Sequence, residues 1–307
     1  MSTPPLRATP SRSQERLGLS FGLIGVVIFA MTLPMTRLAV GPASDPQLPP
    51  LFVTAGRAAF AGLLSVLYLF ATRAPLPRRG DLAAFAVSAA GTVVGFPLFL
   101  ALALRHVDAM HAAVITGVLP LATALAAAVH LRQRPSAGFW ACAALGCALV
   151  LAFAAQRGSD EPSAADGLLL LAVASAAIGY VAGAQLSVRM PAERVICWVL
   201  VGSLPFTAPL TLAAWPDHAV THSAWLGFGY VTLFSMWLGF FTWYRGLALG
   251  GTVRVSQVQL VQPFLALLFA VPVAGERLDA VTLAFSIGVI ATVVVGKKMP
   301  ADVRRAT

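Results

Sequence analysis

Charge is scarce in this chain. Asp, Glu, Lys and Arg make up 11% of its 307 residues, against about 25% in soluble domains, so a water-facing fold would lack the polar groups to cover its surface. The shortage falls mainly on one sign, with 12 acidic residues against 21 basic ones and a formal net charge of +9. A basic balance suits phosphate backbones, yet the basic residues lie mainly in short connections between apolar runs and form no single patch, which excludes nucleic acid as a partner. Cysteine is almost absent. Cys142, Cys147 and Cys197 stand inside apolar runs with no CxxC pair, which signals neither a disulfide framework nor a zinc site and leaves them as small apolar fillers. No HExxH, Walker-type loop or metal-ligand cluster occurs, and no carboxylate pair or Ser-Lys dyad lies inside an apolar run. No cofactor, no metal and no enzymatic activity is therefore expected. The stretch Gly18-Leu19-Ser20-Phe21-Gly22 fits the G-x-S-x-G pattern of a nucleophile elbow, but it lacks the preceding strand and the partner Asp and His that the pattern requires.

Hydrophobic residues, by contrast, form 58% of the chain and gather in runs. A bilayer core about 30 Å thick takes about 20 apolar residues of helix, and cutting the chain where charge, proline and glycine cluster yields ten runs. They cover residues 17–40, 51–71, 82–104, 109–131, 137–155, 167–188, 195–214, 224–244, 255–274 and 280–296. Most are apolar on every side, which points to lipid as the solvent. Residues 1–16, with Arg7, Arg12 and Arg16, resemble the start of a signal peptide, but the apolar run behind them is too long for one and reads as a first span that stays in place. With the N-terminus in the cytoplasm, sixteen of the 21 Lys and Arg residues fall on that side. Arg37, Arg105, Arg157 and Arg277 fall on the other and Arg57 lies within the second span, so both termini are expected to be cytoplasmic.

The two halves resemble each other. Gly95-Phe96, Ala103-Leu104, Pro120 and Arg132-Gln133-Arg134-Pro135 have counterparts, with a one-residue gap, in Gly239-Phe240, Ala248-Leu249, Pro263 and Gly275-Glu276-Arg277-Leu278, about 143 positions later. Five spans per half is an odd number, so the second half enters the membrane inverted, an arrangement of secondary transporters that places function between the halves near the midplane. The expected fold is an all-α membrane protein of ten transmembrane helices, arranged as two inverted five-helix repeats around a central cavity. Its parts are a cytoplasmic tail at 1–16, a first repeat at 17–155, a periplasmic linker at 156–166, a second repeat at 167–296 and a cytoplasmic tail at 297–307.

Ten spans, two repeats and a proline-containing ninth span ending in Gly275-Glu276-Arg277-Leu278 resemble the EamA-type drug/metabolite transporter superfamily over residues 17–296. The first repeat departs from the pattern, with Gln133-Arg134-Pro135 where many members carry Glu-Arg-Leu. That asymmetry, with aromatics in the third and eighth spans, looks most similar to the YddG-type amino-acid exporters. The resemblance implies alternating access around a cavity lined by the first, third, fourth, sixth, eighth and ninth helices, in a bacterial inner (plasma) membrane. It leaves the cargo open, because relatives carry amino acids, other metabolites or drugs, and related families carry nucleotide sugars or sugar phosphates.

Candidate substrate contacts come from polar and aromatic side chains inside the runs. The ninth run carries Ser256, Gln257, Gln259 and Gln262 ahead of Pro263. Ser256, Gln259 and Pro263 share a face with Gln262 at its margin, while Gln257 points elsewhere. At 1.5 Å per residue Gln262 sits roughly 13 Å from the cytoplasmic end, near the midplane. Amides are costly in hydrocarbon unless paired, and Pro263 frees a carbonyl one turn back, so this face could hold a zwitterion or glue two helices together. In the eighth run Trp237, Phe240, Phe241 and Tyr244 form one stripe that could grip an apolar side chain, although Trp243 and Tyr244 also fit an interfacial belt. Phe96 and Phe99 in the third run and Tyr180 in the sixth are further aromatic candidates. Arg57 is expected to snorkel to outer water as an anchor, and His111, shallow in the fourth run, to stand at the outer mouth. Gly18 with Gly22, Gly91 with Gly95 and Gly179 with Gly183 suit close helix crossings.

Three absences narrow the function. The first span has no Asp or Glu to hold a cationic drug, and no cluster of Lys or Arg lies at the midplane to hold phosphate. No acidic residue reaches the midplane either, which leaves facilitated diffusion at least as open as proton antiport. The expected function is a secondary transporter that exports amino acids, aromatic and other neutral ones, with another small metabolite or drug as the alternative cargo. A passive channel ranks lower, because it needs polar rings through every pore-lining helix. The expected partners are amino acids and the lipid bilayer, and the expected state is a monomer.

Overall fold

The computed structural model describes residues 12–130, 134–157, 163–250, 258, 261–298 and 301–302. Among these the chain is helical, apart from a two-residue antiparallel pairing of Arg134–Pro135 with Ala301–Asp302. The main helices of the first half are α1 (Arg12–Ala30), α2 (Thr32–Val40), α3 (Pro50–Ala71), α4 (Leu82–Ser88), α5 (Phe96–Ala103), α6 (Ala109–Thr116), α7 (Leu119–His130) and α8 (Ala137–Arg157). Those of the second half are α9 (Ala164–Arg189), α10 (Ala192–Ala213), α11 (His222–Tyr230), α12 (Gly239–Gly250), α13 (Gln262–Ala274) and α14 (Ala280–Lys298).

Seven stretches among the described residues are long and apolar enough to cross a membrane: Arg16–Val40, Pro50–Ala71, Arg79–Ala103, Ala109–Ala127, Ala164–Ser187, Ala192–Ala213 and His222–Gly246. Three shorter apolar helical stretches, Trp140–Val150, Gln262–Ala274 and Ala280–Thr292, stand in the places of the fifth, ninth and tenth expected runs. Ser256, Gln257 and Gln259 lie outside the described residues.

Four of the expected runs are interrupted, and the interruptions repeat. α1 gives way to α2 at Met31, three residues before Pro34, which has no N–H to continue the backbone ladder. The third run passes from α4 through a π-turn at Ala89–Gly95 into α5. The eighth passes from α11 through a π-turn at Val231–Leu238 into α12, and this π-turn starts 142 positions after the first. The fourth run breaks between α6 and α7, and α13 begins 143 positions after α7, each helix with a proline at its second residue.

Packing follows the same relation. α1 lies along α12, and α9 lies along α5 and the first π-turn, so the first run meets the eighth as the sixth meets the third. α3 pairs with α10 and α8 with α14, each pairing being its own image. A two-fold axis between two repeats requires these four pairings. Lipid removes the apolar drive for helices to associate, so close backbone contact takes its place. A Cβ on Gly91 would sit 2.4 Å from the Ser175 carbonyl oxygen, and one on Gly246 would sit 2.7 Å from the Gly22 nitrogen. Trp243 and Tyr244 are buried in the core with Phe29 and Phe240, and so do not form an interfacial belt.

Candidate functional site

The helix interruptions converge on one cavity. Phe29, Thr32 and Leu33 reach it from the α1–α2 break, Thr92 and Ser235 from the two π-turns, and Phe96 and Phe240 from just beyond them. Thr116, Gly117 and Leu119 come from the α6–α7 break, Gln262 and Pro263 from the start of α13, Tyr180 from α9 and Arg57 from α3. The space between atoms is about 800 Å³, part of it continuous with the exterior. Irregular backbone at membrane depth is tolerated where it lines a cavity, which explains why breaks and cavity coincide. Several lining residues are repeat images: Thr92 with Ser235 and Leu119 with Gln262 at 143 positions, and Phe96 with Phe240 at 144. The cavity therefore sits where the two halves meet.

Arg57 is the charged member of this described lining. It is only 3% exposed, and its Nη2 donates to Ser235 Oγ at 3.0 Å. Ser235 Oγ also lies 2.8 Å from Thr32 Oγ1. The expected snorkelling is overturned. Arg57 lies seven residues, roughly 10 Å, below the start of α3, and the hydroxyl that takes its guanidinium comes from the facing π-turn, not from water. The Arg57 Nε and the buried Gln262 Oε1 have no hydrogen-bond partner among the described residues. Thr92 and Thr116 donate back to carbonyls one turn earlier in their own helices, which satisfies their hydrogens without competing for Ser235.

Of the sequence-based candidates, Gln262, Phe96 and Tyr180 meet in this cavity. Trp237 and Phe241 are not part of its described lining. Trp237 Nε1 donates to Ser65 Oγ at 3.1 Å, and its ring lies 4.8 Å from that of Phe241, tilted by 47°, beside Tyr68. Phe240 and Phe241 are neighbours in α12, about 100° apart round the helix, so Phe240 faces the cavity beside Phe29 while Phe241 turns with Trp237 toward Tyr68. Phe99 packs against the main core outside the described lining. His111 sits at one end of the bundle, with Nε2 2.6 Å from Asp166 Oδ1 and its ring 5.0 Å from Phe153. Asp166 closes a capping box with Ser163 at the start of α9. Ser256 and Gln259 lie outside the described residues. Thr32, Thr92 and Ser235 escaped the reading of the runs, although the 143-position offset between Thr92 and Ser235 marks them as a pair.

The same end of the bundle carries a tie between the halves. Glu276, in the connection after α13, is half-buried and accepts the backbone N–H groups of Ala109 at 2.6 Å and Met110 at 2.7 Å, the first two of α6. A carboxylate there satisfies orphan donors and complements the helix dipole. Burial raises the Glu276 carboxyl above its ordinary range, with a further push from Asp108, while the two N–H groups and Arg37 pull it back. Arg37 donates to the Leu104 carbonyl and lies 3.5 Å from Asp108. Among the described residues no group of three His, Cys, Asp or Glu side chains could hold a metal ion.

Apolar helices in two repeats, broken around one cavity at their junction, are the architecture of a membrane carrier. The chain belongs to the EamA-like transporter family, whose model matches it twice, at residues 16–154 and 163–295. It is 43% identical over 279 residues to the uncharacterized transporter YdeK of Bacillus subtilis (strain 168), covering 90% of this chain and 96% of that protein. A crystal structure of a protein 20% identical in sequence superposes with a TM-score of 0.60, covering 91% of this chain and 98% of its own, a likeness of fold alone.

Proposed function

We propose that this transporter exports amino acids, aromatic and other neutral ones, from the cytoplasm by alternating access around the central cavity. In this reading ten spans form two inverted five-helix repeats in a bacterial inner (plasma) membrane, both termini are cytoplasmic, and the monomer is the working unit. The single observation that carries it is that a donor, Arg57 Nε, and an acceptor, Gln262 Oε1, both without partners among the described residues, line one cavity with Phe29, Phe96, Tyr180 and Phe240. A zwitterion with an apolar side chain complements such a set: its carboxylate and ammonium take the polar atoms and its side chain the rings. Ser256 and Gln259 would extend the polar face beyond the described residues. Trp237, Phe241 and Phe99 support the walls from behind, and His111 belongs to the bundle end.

Counterflow in proteoliposomes tests this. Preloaded neutral amino acids should accelerate uptake of labelled ones from a panel that also holds sugars, nucleotide sugars and organic cations. Transport of nucleotide sugars or cations without amino acids would refute the reading.

A further inference from the structure

Taking the central cavity as the cargo site, as above, we propose that Arg57 is the anchor for a carboxylate on the transported molecule. The cavity then admits carboxylates, with or without an amino group, and turns away amines that lack one. A guanidinium that is 3% exposed and bonded to a hydroxyl still carries a full charge in apolar surroundings, which is costly until an anion meets it. The described part of the protein offers no such anion. No Asp or Glu stands in the described lining, and four of the described carboxylates are engaged elsewhere: Asp81 with Arg189, Asp108 with Arg37, Asp166 with His111 and Glu276 with the start of α6. The anion must then come with the ligand.

Ser235, itself bridged to Thr32, holds one nitrogen of the guanidinium, while the Nε–H stays unpartnered among the described residues. A planar fork with such a donor is matched to a carboxylate. One cation with no second Lys or Arg in the described lining suits a singly charged group better than a phosphate dianion, which draws on several charged donors. For a bare ammonium the described lining offers neutral oxygens such as Gln262 Oε1 and aromatic faces but no carboxylate, and Arg57 repels it, so an amine alone binds more weakly than its parent amino acid.

The test is calorimetric binding to the purified full-length protein in detergent. The probes are phenylalanine and leucine, their 2-hydroxy-acid analogues, their decarboxylated amines, and inorganic phosphate. In the wild-type protein the carboxylates should bind, and each amine should bind roughly thirtyfold or more weakly than its parent amino acid. Arg57→Gln should weaken carboxylate binding by roughly tenfold to a hundredfold without weakening the amines, and Arg57→Lys should recover part of the loss. Amines or phosphate binding as tightly as the carboxylates, no carboxylate binding at all, or an Arg57→Gln protein with unchanged carboxylate affinity would each overturn the assignment. The wild-type comparison needs no variant to fold. Hydroxy acids that bind while amino acids do not would leave Arg57 as the anchor and sink the amino-acid reading.

Discussion

Replacing Glu276 by alanine takes both acceptors away from the start of α6. Each of the two bonds, 2.6 and 2.7 Å long, is charge-assisted and contributes about 1.5–3 kcal/mol before the cost of burying the carboxylate is subtracted. That cost is substantial, because burial holds the carboxyl above its ordinary value despite the bonds. The net loss should be about 1–2 kcal/mol, a shift of roughly 5- to 30-fold toward arrangements in which this end opens and water reaches the cavity. The pH dependence takes its sign from the raised carboxyl. A group that titrates higher when buried than when solvated takes up protons on closing, so acid favours the closed end and rising pH releases it, in the window just above the ordinary value of 4.5. The extra stability that protonation of this group gives the fold is likewise present below that value and lost as pH rises through the raised one, while the two N–H bonds remain to the carboxylate. Glu276→Gln, which resembles the protonated acid, should remove this pH dependence. The assay is labelling by a membrane-impermeant maleimide of one cysteine placed at the cavity residue Thr116, with Cys142, Cys147 and Cys197 replaced. Rates are taken relative to a cysteine at exposed Ser44, which cancels the pH dependence of the thiol. Unchanged labelling in Glu276→Ala, or an intact pH slope in Glu276→Gln, would refute the tie.

Trp237→Phe keeps a ring but loses the 3.1 Å bond to Ser65, so it should cost about 1 kcal/mol of stability and leave half-saturation for cargo within about twofold; a rise of roughly tenfold would place Trp237 in the binding site. Gly91→Ala sets a methyl 2.4 Å from the Ser175 carbonyl oxygen and should destabilise by about 1–3 kcal/mol, read as a lower unfolding midpoint in detergent; an unchanged midpoint would mean that the crossing has room to spare. Single cysteines at Ser159 and Ala306 should label from opposite faces in intact cells, and labelling from one face would require an odd number of spans.

The apolar runs were legible because composition and length alone dictate them, and the repeat because its markers, Gly-Phe, Pro and the Gly275-Glu276 turn, lie where the backbone departs from a regular helix. The close crossings were legible for a similar reason: Gly91 and Gly22 stand at spacings that bring one helix face together, and backbones do meet there. The direction of individual side chains was not. A period of 3.6 residues puts Trp237, Phe240 and Phe241 on one stripe, but that stripe is wide enough to meet two neighbours, and which edge faces Phe29 and which faces Tyr68 is set by packing between distant helices. Arg57 failed for a different reason. Its depth alone permits an exit to water, and the hydroxyl that turns it inward belongs to Ser235, 178 residues away. His111 stands two residues inside α6, and its partner Asp166 is set by the capping of another helix.

The cavity separates what both halves share from what one half adds. The π-turns, the prolines after Leu119 and Gln262, and the hydroxyls of Thr92 and Ser235 occur twice, about 143 positions apart, and they shape the cavity. A carrier that rocks between two related arrangements needs this duplication, because each half must be able to take the other's part. Selection of cargo needs the opposite. A cavity with identical poles could not distinguish the ends of a small molecule, whereas here Gln262 has the apolar Leu119 as its counterpart in the lining, and the position 143 residues after Arg57 is the fully buried Leu200. In the described lining, the buried polar atoms without partners among the described residues, Arg57 Nε and Gln262 Oε1, both stand at positions where the repeat is broken. On the proposed reading, departures from the repeat are the groups that choose the cargo, and agreements with it are the groups that shape the cavity in both halves.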